Sequence, residues 1–380
     1  MAVVIDDFNR FIPKGAFGVN YAERRAFYAI FDGHGGGRCS DFLAKNFHIM
    51  LGKNPLIGEK PEEAIQQVWT EAEETFYEQC SKKYEKSRTE GDRANFQRAG
   101  STATVVLVVG DQVLVANCGD SHVYLYSESK GPPMCLSDAH NTDNVKENER
   151  VEKSGAKVEQ ELVSVPTGVC CMRKKVPAGK LRVWPGGLAV TRSFGDFHAK
   201  IPTLGGIEGS VIADYGELRT LEITENWQGI IVASDGAWDA LSPNQIWEHF
   251  WETSQSYSGE ASDRYREGLV KMVDECCDSE YWDRYGGSAD NTTAIALVFE
   301  HLKHATKEEP AAVNGSDATD KGAAAKDPAG VDMAAQRQPR SSIEKEDTSK
   351  EETPETQELP SPTKRPARTR MQRKSVSFAE

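Results

Sequence analysis

The sequence predicts an α+β chain in which antiparallel β-sheets pack together between helices, followed by a disordered C-terminal tail. Three observations carry this expectation. Strand-length apolar runs outnumber the helical stretches that could cross over between parallel strands, and several are joined by tight turns into hairpins. The run Phe27-Tyr28-Ala29-Ile30-Phe31 lacks polar alternation, so it reads as a strand covered on both faces. Residues 301–380 contain no Cys, Trp or Tyr and one aromatic residue, Phe378, too little apolar surface to offset the entropy of ordering.

Taken in order, the strand ending at Phe31 runs into "DGHGGG" and then into "GRCSDFLAKNFHIML", whose Phe42, Leu43, Phe47, Ile49, Met50 and Leu51 fall mostly at helical spacing. Residues 61–85 form a clearer helix with Pro61 at its start. Thr104 to Val109 and Val113 to Ala116, joined through Gly110-Asp111-Gln112, read as a hairpin; Val123 to Tyr126 adds a third strand after Gly119-Asp120-Ser121. "DNVKENERVEKSGAKV" reads as a charged surface helix closed by Gly155. The apolar run Ile230 to Ala233 ends in Asp235-Gly236, as the first strand ends in Asp32-Gly33; helices over 243–252 and about 260–277 follow, and Asp290 leads into a last strand. The expected division is a folded domain over 1–300 and a tail over 301–380, without internal repeats.

Of 45 Lys and Arg and 59 Asp and Glu, 14 of each fall in residues 301–380, leaving 31 against 45 in residues 1–300. The folded part therefore carries the whole formal charge of −14. That balance argues against nucleic acid as a partner, because phosphate contacts need clustered Lys and Arg, and it suits a protein that holds cations. The eight cysteines form no C-x-x-C pair, and the doublets Cys170-Cys171 and Cys276-Cys277 suit neither zinc nor a disulfide framework, so reduced thiols are expected. With no apolar stretch of about 18 residues, no signal-peptide pattern at Met1-Ala2-Val3-Val4 and no glycine at position 2, the chain reads as soluble, free of membrane, and cytoplasmic or nuclear.

Four turns share one design. Asp32-Gly33 and Asp235-Gly236 follow apolar strands, Asp120 lies in a tight turn, and Asp290-Asn291 precedes a strand. If these strand ends lie together, their carboxylates meet at one edge, where burial and repulsion raise their pKa values unless a multivalent cation sits among them. Oxygen donors without a His or Cys set point to magnesium or manganese rather than zinc, and Gly33 leaves its own carbonyl accessible. A single Asp-Gly is ordinarily only a turn, so periodicity leaves a metal site and ordinary turns both open.

The words "FDGHGG" (31–36), "GSTAT" (100–104), "ANCGDSH" (116–122), "GGLAVTRSFGD" (186–196), "VASDGAWD" (232–239) and "SADNTTAI" (288–295) resemble, in order and rough spacing, the metal-dependent Ser/Thr protein phosphatases of the PPM or type 2C family. The resemblance covers residues 1 to about 300. It implies a four-layer α/β/β/α sandwich and a phosphatase that hydrolyses phosphoserine and phosphothreonine in phosphorylated protein substrates. It further implies two Mn2+ or Mg2+ ions, with a third, weaker site. Asp32 resembles the carboxylate bridging both metals and Gly33 the carbonyl ligand beside it. Asp235 and Asp290 resemble further ligands of the first metal, while Asp120 and Asp239, with Asp235, match the acids of the third site. His34 matches the proposed general acid, although a histidine beside glycines also serves to brace a turn. Asp6-Asp7 is the best match to the family's N-terminal acidic pair, with Asp7 taken as the ligand. Two cations about 3.5–4 Å apart lower the pKa of a shared water for in-line attack on a phosphomonoester.

Departures from the pattern define the alternatives. The family's phosphate-binding arginine before the acidic pair falls near Ala2, so the expectation is an upstream start, a substitute such as Arg38 or Arg192, or weak binding. His122 replaces the arginine of "GDSR", and Ala139-His140-Asn141-Thr142 replaces Asp-His-Lys-Pro. The alternative function is a noncatalytic relative that uses the fold as a protein-binding module. In the tail, Lys364, Arg365, Arg368, Arg370, Arg373 and Lys374 form a basic run. Lys374, Val376 and Phe378 resemble the K-x-V-x-F peptide that docks on protein phosphatase one by adding an edge strand.

Overall fold

The computed structural model describes residues 1–86, 89–128, 131–166, 173–278, 290–299 and the backbone of 375–379. In chain order the strands are β1 (Ala2–Ile5), β2 (Arg25–Ile30), β3 (Ala103–Val109), β4 (Gln112–Cys118), β5 (His122–Ser127), β6 (Lys157–Pro166), β7 (Arg173–Trp184), β8 (Arg219–Glu222), β9 (Trp227–Ala233), β10 (Thr293–Val298) and β11 (Ser375–Ala379). The longer helices are α1 (Arg38–Lys53), α2 (Pro61–Lys86), α3 (Glu90–Gln97), α4 (Val145–Lys153), α5 (Pro243–Ser256) and α6 (Ala261–Cys276). Shorter pieces are identified below by their residues. None of the described helices is long and apolar enough to cross a membrane.

One sheet has the order β1-β2-β3-β4-β8, and the other runs β11-β10-β9-β5 and ends on the short strand Met134–Cys135. Pairing is antiparallel throughout except between β10 and β11. Strand side chains alternate in direction, so each uninterrupted apolar run feeds two cores. In β2, Ala26, Tyr28 and Ile30 pack between the sheets against Val123, Ile230, Val232 and Ile295. Phe27, Ala29 and Phe31 face the other way, onto Phe42, Phe47 and Trp69 of α1 and α2. Likewise Ile230 and Val232 of β9 point between the sheets, while Ile231 and Ala233 meet Ile246, Phe250, Leu269 and Met272 of α5 and α6. The layers are therefore helix, sheet, sheet, helix, as expected.

Local chemistry sets the boundaries. Gly110 turns between β3 and β4 at φ +56°, a backbone that side chains resist. Asn144 caps α4 through Lys146 N, and Ser242 with Gln245 forms a capping box ahead of Pro243 at the start of α5. The long hairpin of β6 and β7, the strand β8 and helix α3 lie in stretches the sequence left unassigned. Of the tail expected to be disordered, only Ser375–Ala379 falls among the described residues, and its backbone pairs in parallel with β10. The basic run Lys364 to Lys374 lies outside them, as do Cys170 and Cys171. The six described cysteines are free thiols.

Phe47 joins the strand that ends at the acids to the first helical layer, its ring 6.2 Å from those of Phe27 and Phe31 and 5.4 Å from Trp69. Phe47→Ala should cost about 3–5 kcal/mol through lost burial and the cavity left behind. Urea unfolding would measure it; a loss under about 1 kcal/mol would mean that this layer does not hold β2 in place.

Candidate metal centre

Strand direction places the acids. Asp32 leaves the C-terminal end of β2, and Ile30 pairs with Thr104 at the start of β3. Asp120 lies between the end of β4 and the start of β5. Asp235 follows the end of β9, where Ala233 pairs with His122 of β5 and with Ala294 of β10, just beyond Asp290. Both sheets therefore deliver these turns to the same end of the sandwich. Asp239 follows at the end of the short helix Asp235–Trp238, so it stays with Asp235.

Asp7 is not at that edge. β1 runs antiparallel to β2, with Ala2 opposite Ile30 and Ile5 opposite Phe27, so the chain moves away from Asp32 before it reaches Asp6 and Asp7. At about 3.3 Å per residue, the intervening strand separates Asp7 from Asp32 by on the order of 15 Å. Asp7 is exposed at the entry to the 3-10 turn Phe8–Phe11, and Asp6 accepts a hydrogen bond from the Tyr28 hydroxyl at 2.9 Å. The sequence assignment of Asp7 as a ligand is corrected accordingly: the distance along the chain was suitable, but the strand direction was not.

The backbone at Asp32 is fixed by the "GSTAT" word. Asp32 N donates to Thr102 Oγ1 at 3.1 Å, Thr102 N donates to Asp32 O at 2.8 Å, and the Ser101 hydroxyl also donates to that carbonyl at 3.1 Å. At Gly33 a Cβ would come within 2.4 Å of Ser40 Oγ, so the position has no room for a side chain. His140 N donates to Gly119 O at 3.0 Å, bracing the turn that carries Asp120. Burial, with the positive charge of Arg192, pushes the His140 pKa down to about 4, so its ring is a neutral element of this turn.

Electrostatics tie the acids together. Burial raises the Asp235 carboxyl to about 8, reinforced by Asp120, Asp32, Asp290 and Asp239. Asp120 is pushed up to about 6, chiefly by burial and further by Asp32 and Asp239. Burial also raises Asp32, with Asp290 adding to the shift; the Met1 amine, His34 and a hydrogen bond with Asp235 oppose it. Among the described residues no three His, Cys, Asp or Glu side chains close into a ligand set. Asp32 and Asp235 share a hydrogen bond, and the charges of Asp32, Asp120, Asp239 and Asp290 act on Asp235 from the same edge. Such a group, with oxygen donors only and a high cost for holding its charges together, fits magnesium or manganese.

A residue that the sequence reading did not single out also lies at this edge. The short strand Gly100–Ser101 pairs with Gly33–His34 on one side and with Phe194–Gly195 on the other, so His34 and Asp196 become neighbours. His34 Nε2 lies 2.5 Å from Asp196 Oδ2. Asp196 is fully buried, sits in the left-handed region at φ 52° and also accepts from the Ser193 hydroxyl at 2.6 Å. A Cβ at Gly100 would meet Asp196 Oδ2 at 2.1 Å and His34 Nε2 at 2.3 Å, so this contact requires glycine there. Burial alone would lower the His34 pKa, but Asp196, through charge and hydrogen bond, with Asp120 and Asp32, raises it. The turn is anchored by Glu73, which accepts from Gly195 N at 2.8 Å and pairs with Lys200 at 2.6 Å. The only sequence signal for Asp196 was its place at the end of "RSFGD".

Residues 11–280 match the family model described as protein phosphatase 2C. Probable protein phosphatase 2C 59 of Oryza sativa subsp. japonica is 28% identical over 290 residues, covering 74% of this chain and 69% of that protein. Probable protein phosphatase 2C 71 of Arabidopsis thaliana is 29% identical over 293 residues, covering 77% and 52%. The chain thus spans about half to two thirds of the length of the curated relatives it matches. Among solved structures, the serine-threonine phosphatase 2C from Toxoplasma gondii aligns with a TM-score of 0.51 at 18% identity, covering 77% of this chain and 92% of that one. A C. elegans sex determining protein gives 0.52 at 21%, covering 72% and 56%. Those two likenesses concern the fold.

The raised carboxyls have a consequence for stability. Asp235 and Asp120 hold protons in the folded protein that an unfolded chain, with carboxyls near 3.8, has released. Their contribution is complete below about pH 4 and is lost as pH rises through about 6 and 8. In chelator, the melting temperature should fall between pH 5 and pH 8.5, and millimolar Mn2+ should flatten that slope. Equal slopes with and without Mn2+ would contradict the assignment.

Proposed function

This chain belongs to the protein phosphatase 2C family, and from that premise we propose that it is a working metal-dependent phosphatase acting on phosphoserine and phosphothreonine in proteins. The observation that carries this reading is the convergence of Asp32, Asp120, Asp235, Asp239 and Asp290 at one end of the sandwich, where burial and mutual repulsion raise the carboxyls of Asp32, Asp120 and Asp235. Asp32, the Gly33 carbonyl, Asp235 and Asp290 would hold two Mn2+ or Mg2+ ions, and Asp120 and Asp239, with Asp235, a third. When bound, the cations supply a water acidified for attack and positive charge for the phosphoryl oxygens.

The chain's own groups do the remaining work. Ser101 and Thr102 fix the Asp32 backbone, so the bridging carboxylate is held before substrate arrives. His34, whose protonated form Asp196 favours, is suited to give its proton to the leaving serine or threonine oxygen. Buried Asp196 cannot turn away, since its left-handed backbone and the Ser193 hydroxyl fix it. Tail docking on protein phosphatase one is not part of this reading, because the backbone of Ser375–Ala379 is already bonded to β10.

Purified chain with Mn2+ should hydrolyse a phosphoserine peptide. Asp235→Asn should reduce turnover by at least the roughly 100-fold that loss of an outer-shell partner costs a metal site, with the circular dichroism unchanged. Folded, metal-loaded protein without turnover would instead support a noncatalytic binding module.

The two leaving groups separate the role of His34. His34→Ala should lower kcat on the peptide by about 10²–10⁴-fold but only slightly on an aryl phosphate, whose leaving oxygen needs no proton. Equal losses on both substrates would assign His34 a structural role.

A further inference from the structure

A phosphomonoester approaching this edge meets several carboxylates, so the chain needs a cationic side chain that reaches the same cavity. The two arginines that the sequence offered are committed elsewhere. Arg38 lies over the Phe96 ring at 4.5 Å and lines a separate cleft between α1, α2 and α3. Arg192 donates to both oxygens of Glu147, at 3.0 and 2.7 Å, and pairs with Asp214 at 3.3 Å.

Lys180, in β7, is placed differently. It is the one Lys or Arg among the described residues lining a cavity of about 410 Å³ that also exposes Asp120, Asp235 and Asp239. Its Nζ donates to Asp239 Oδ2 at 3.3 Å, while its side chain remains 68% exposed. It sits at the irregular stretch of the hairpin between Pro177 and Leu181, and the strand that follows is tied down: the Thr142 hydroxyl donates to Leu181 O at 3.3 Å, Arg182 pairs with Glu161 at 2.8 Å, and Val183 is fully buried. A compact ammonium with three donors on a four-carbon stem can leave one carboxylate for a dianion within the same cavity.

We propose that Lys180 is the substrate-positioning cation of this chain, its ammonium receiving a phosphoryl oxygen of the phosphoserine or phosphothreonine at the mouth of the acidic edge. The β6–β7 hairpin thereby contributes to recognition of the phosphate as well as covering the cavity. This assignment rests on the phosphatase reading above and deepens it.

The test compares wild type, Lys180→Gln and Lys180→Arg, each loaded with Mn2+. Losing a charge-assisted hydrogen bond should raise both KM for a phosphoserine peptide and the inhibition constant for orthophosphate by roughly tenfold, with the loss falling on KM rather than kcat. Lys180→Arg should recover most of it. An unchanged KM and inhibition constant would overturn the proposal, as would an effect confined to the Mn2+ concentration needed for activity, which would make Lys180 a partner of Asp239 only. If wild type shows no turnover, the phosphatase reading fails separately. Orthophosphate titrated calorimetrically into Mn2+-loaded protein then decides: weaker binding by Lys180→Gln upholds the contact, and equal binding overturns it.

Discussion

Mutual repulsion among carboxylates brought to one end of a two-sheet sandwich is the constraint on which the rest of this structure depends. The cores between the sheets and beneath the helices fix the strand ends, and those ends carry Asp32, Asp120, Asp235 and Asp290. A fold that only needed stability would not gather acids in this way, because burial and neighbouring charge raise the carboxyls of Asp32, Asp120 and Asp235. The packing energy of the apolar layers sustains an edge that is unfavourable on its own, and the proposed function has divalent charge offset that cost. The supporting contacts follow the same logic: neutral groups such as Thr102 and Ser101 brace Asp32, and Glu73 with Lys200 anchors the turn that carries Asp196.

Much of the architecture was legible in the sequence because the strongest patterns belong to its central elements. Unbroken apolar runs marked β2, β3, β4 and β9 as strands, and the alternation between two cores explains why they lack polar residues. Pro61 and the periodic residues after Gly37 marked α2 and α1. The β6–β7 hairpin was not legible, since Lys157–Pro166 and Arg173–Trp184 are largely polar and exposed. Its pairing comes from backbone bonds along a long register rather than from an apolar signature. β11 was hidden for a related reason: five residues in a polar tail carry too little pattern to reveal partners as distant in the chain as Thr293 is from Ser375.

The acidic edge was legible in part. The recurring aspartate turns, two of them Asp-Gly, located four of its acids, because a tight turn next to an apolar strand places its aspartate at a sheet end. Asp7 was misassigned because counting residues gives a separation but not a direction, and β1 runs away from Asp32. Asp196 escaped notice because its contact with His34 spans 162 residues and is made by a short three-stranded ladder around Gly100. The same holds for Lys180, whose relation to Asp239 exists only once the hairpin folds over the cavity.

Calorimetric titration of Mn2+ into chelator-stripped protein, repeated in buffers of different ionisation enthalpy between pH 6 and pH 9, measures cation uptake and proton displacement together. Uptake of at least two ions with protons released near neutral pH, and fewer released as pH rises past the raised Asp235 and Asp120 values, is the result expected. No uptake at millimolar Mn2+ would contradict the view that these acids converge to hold cations.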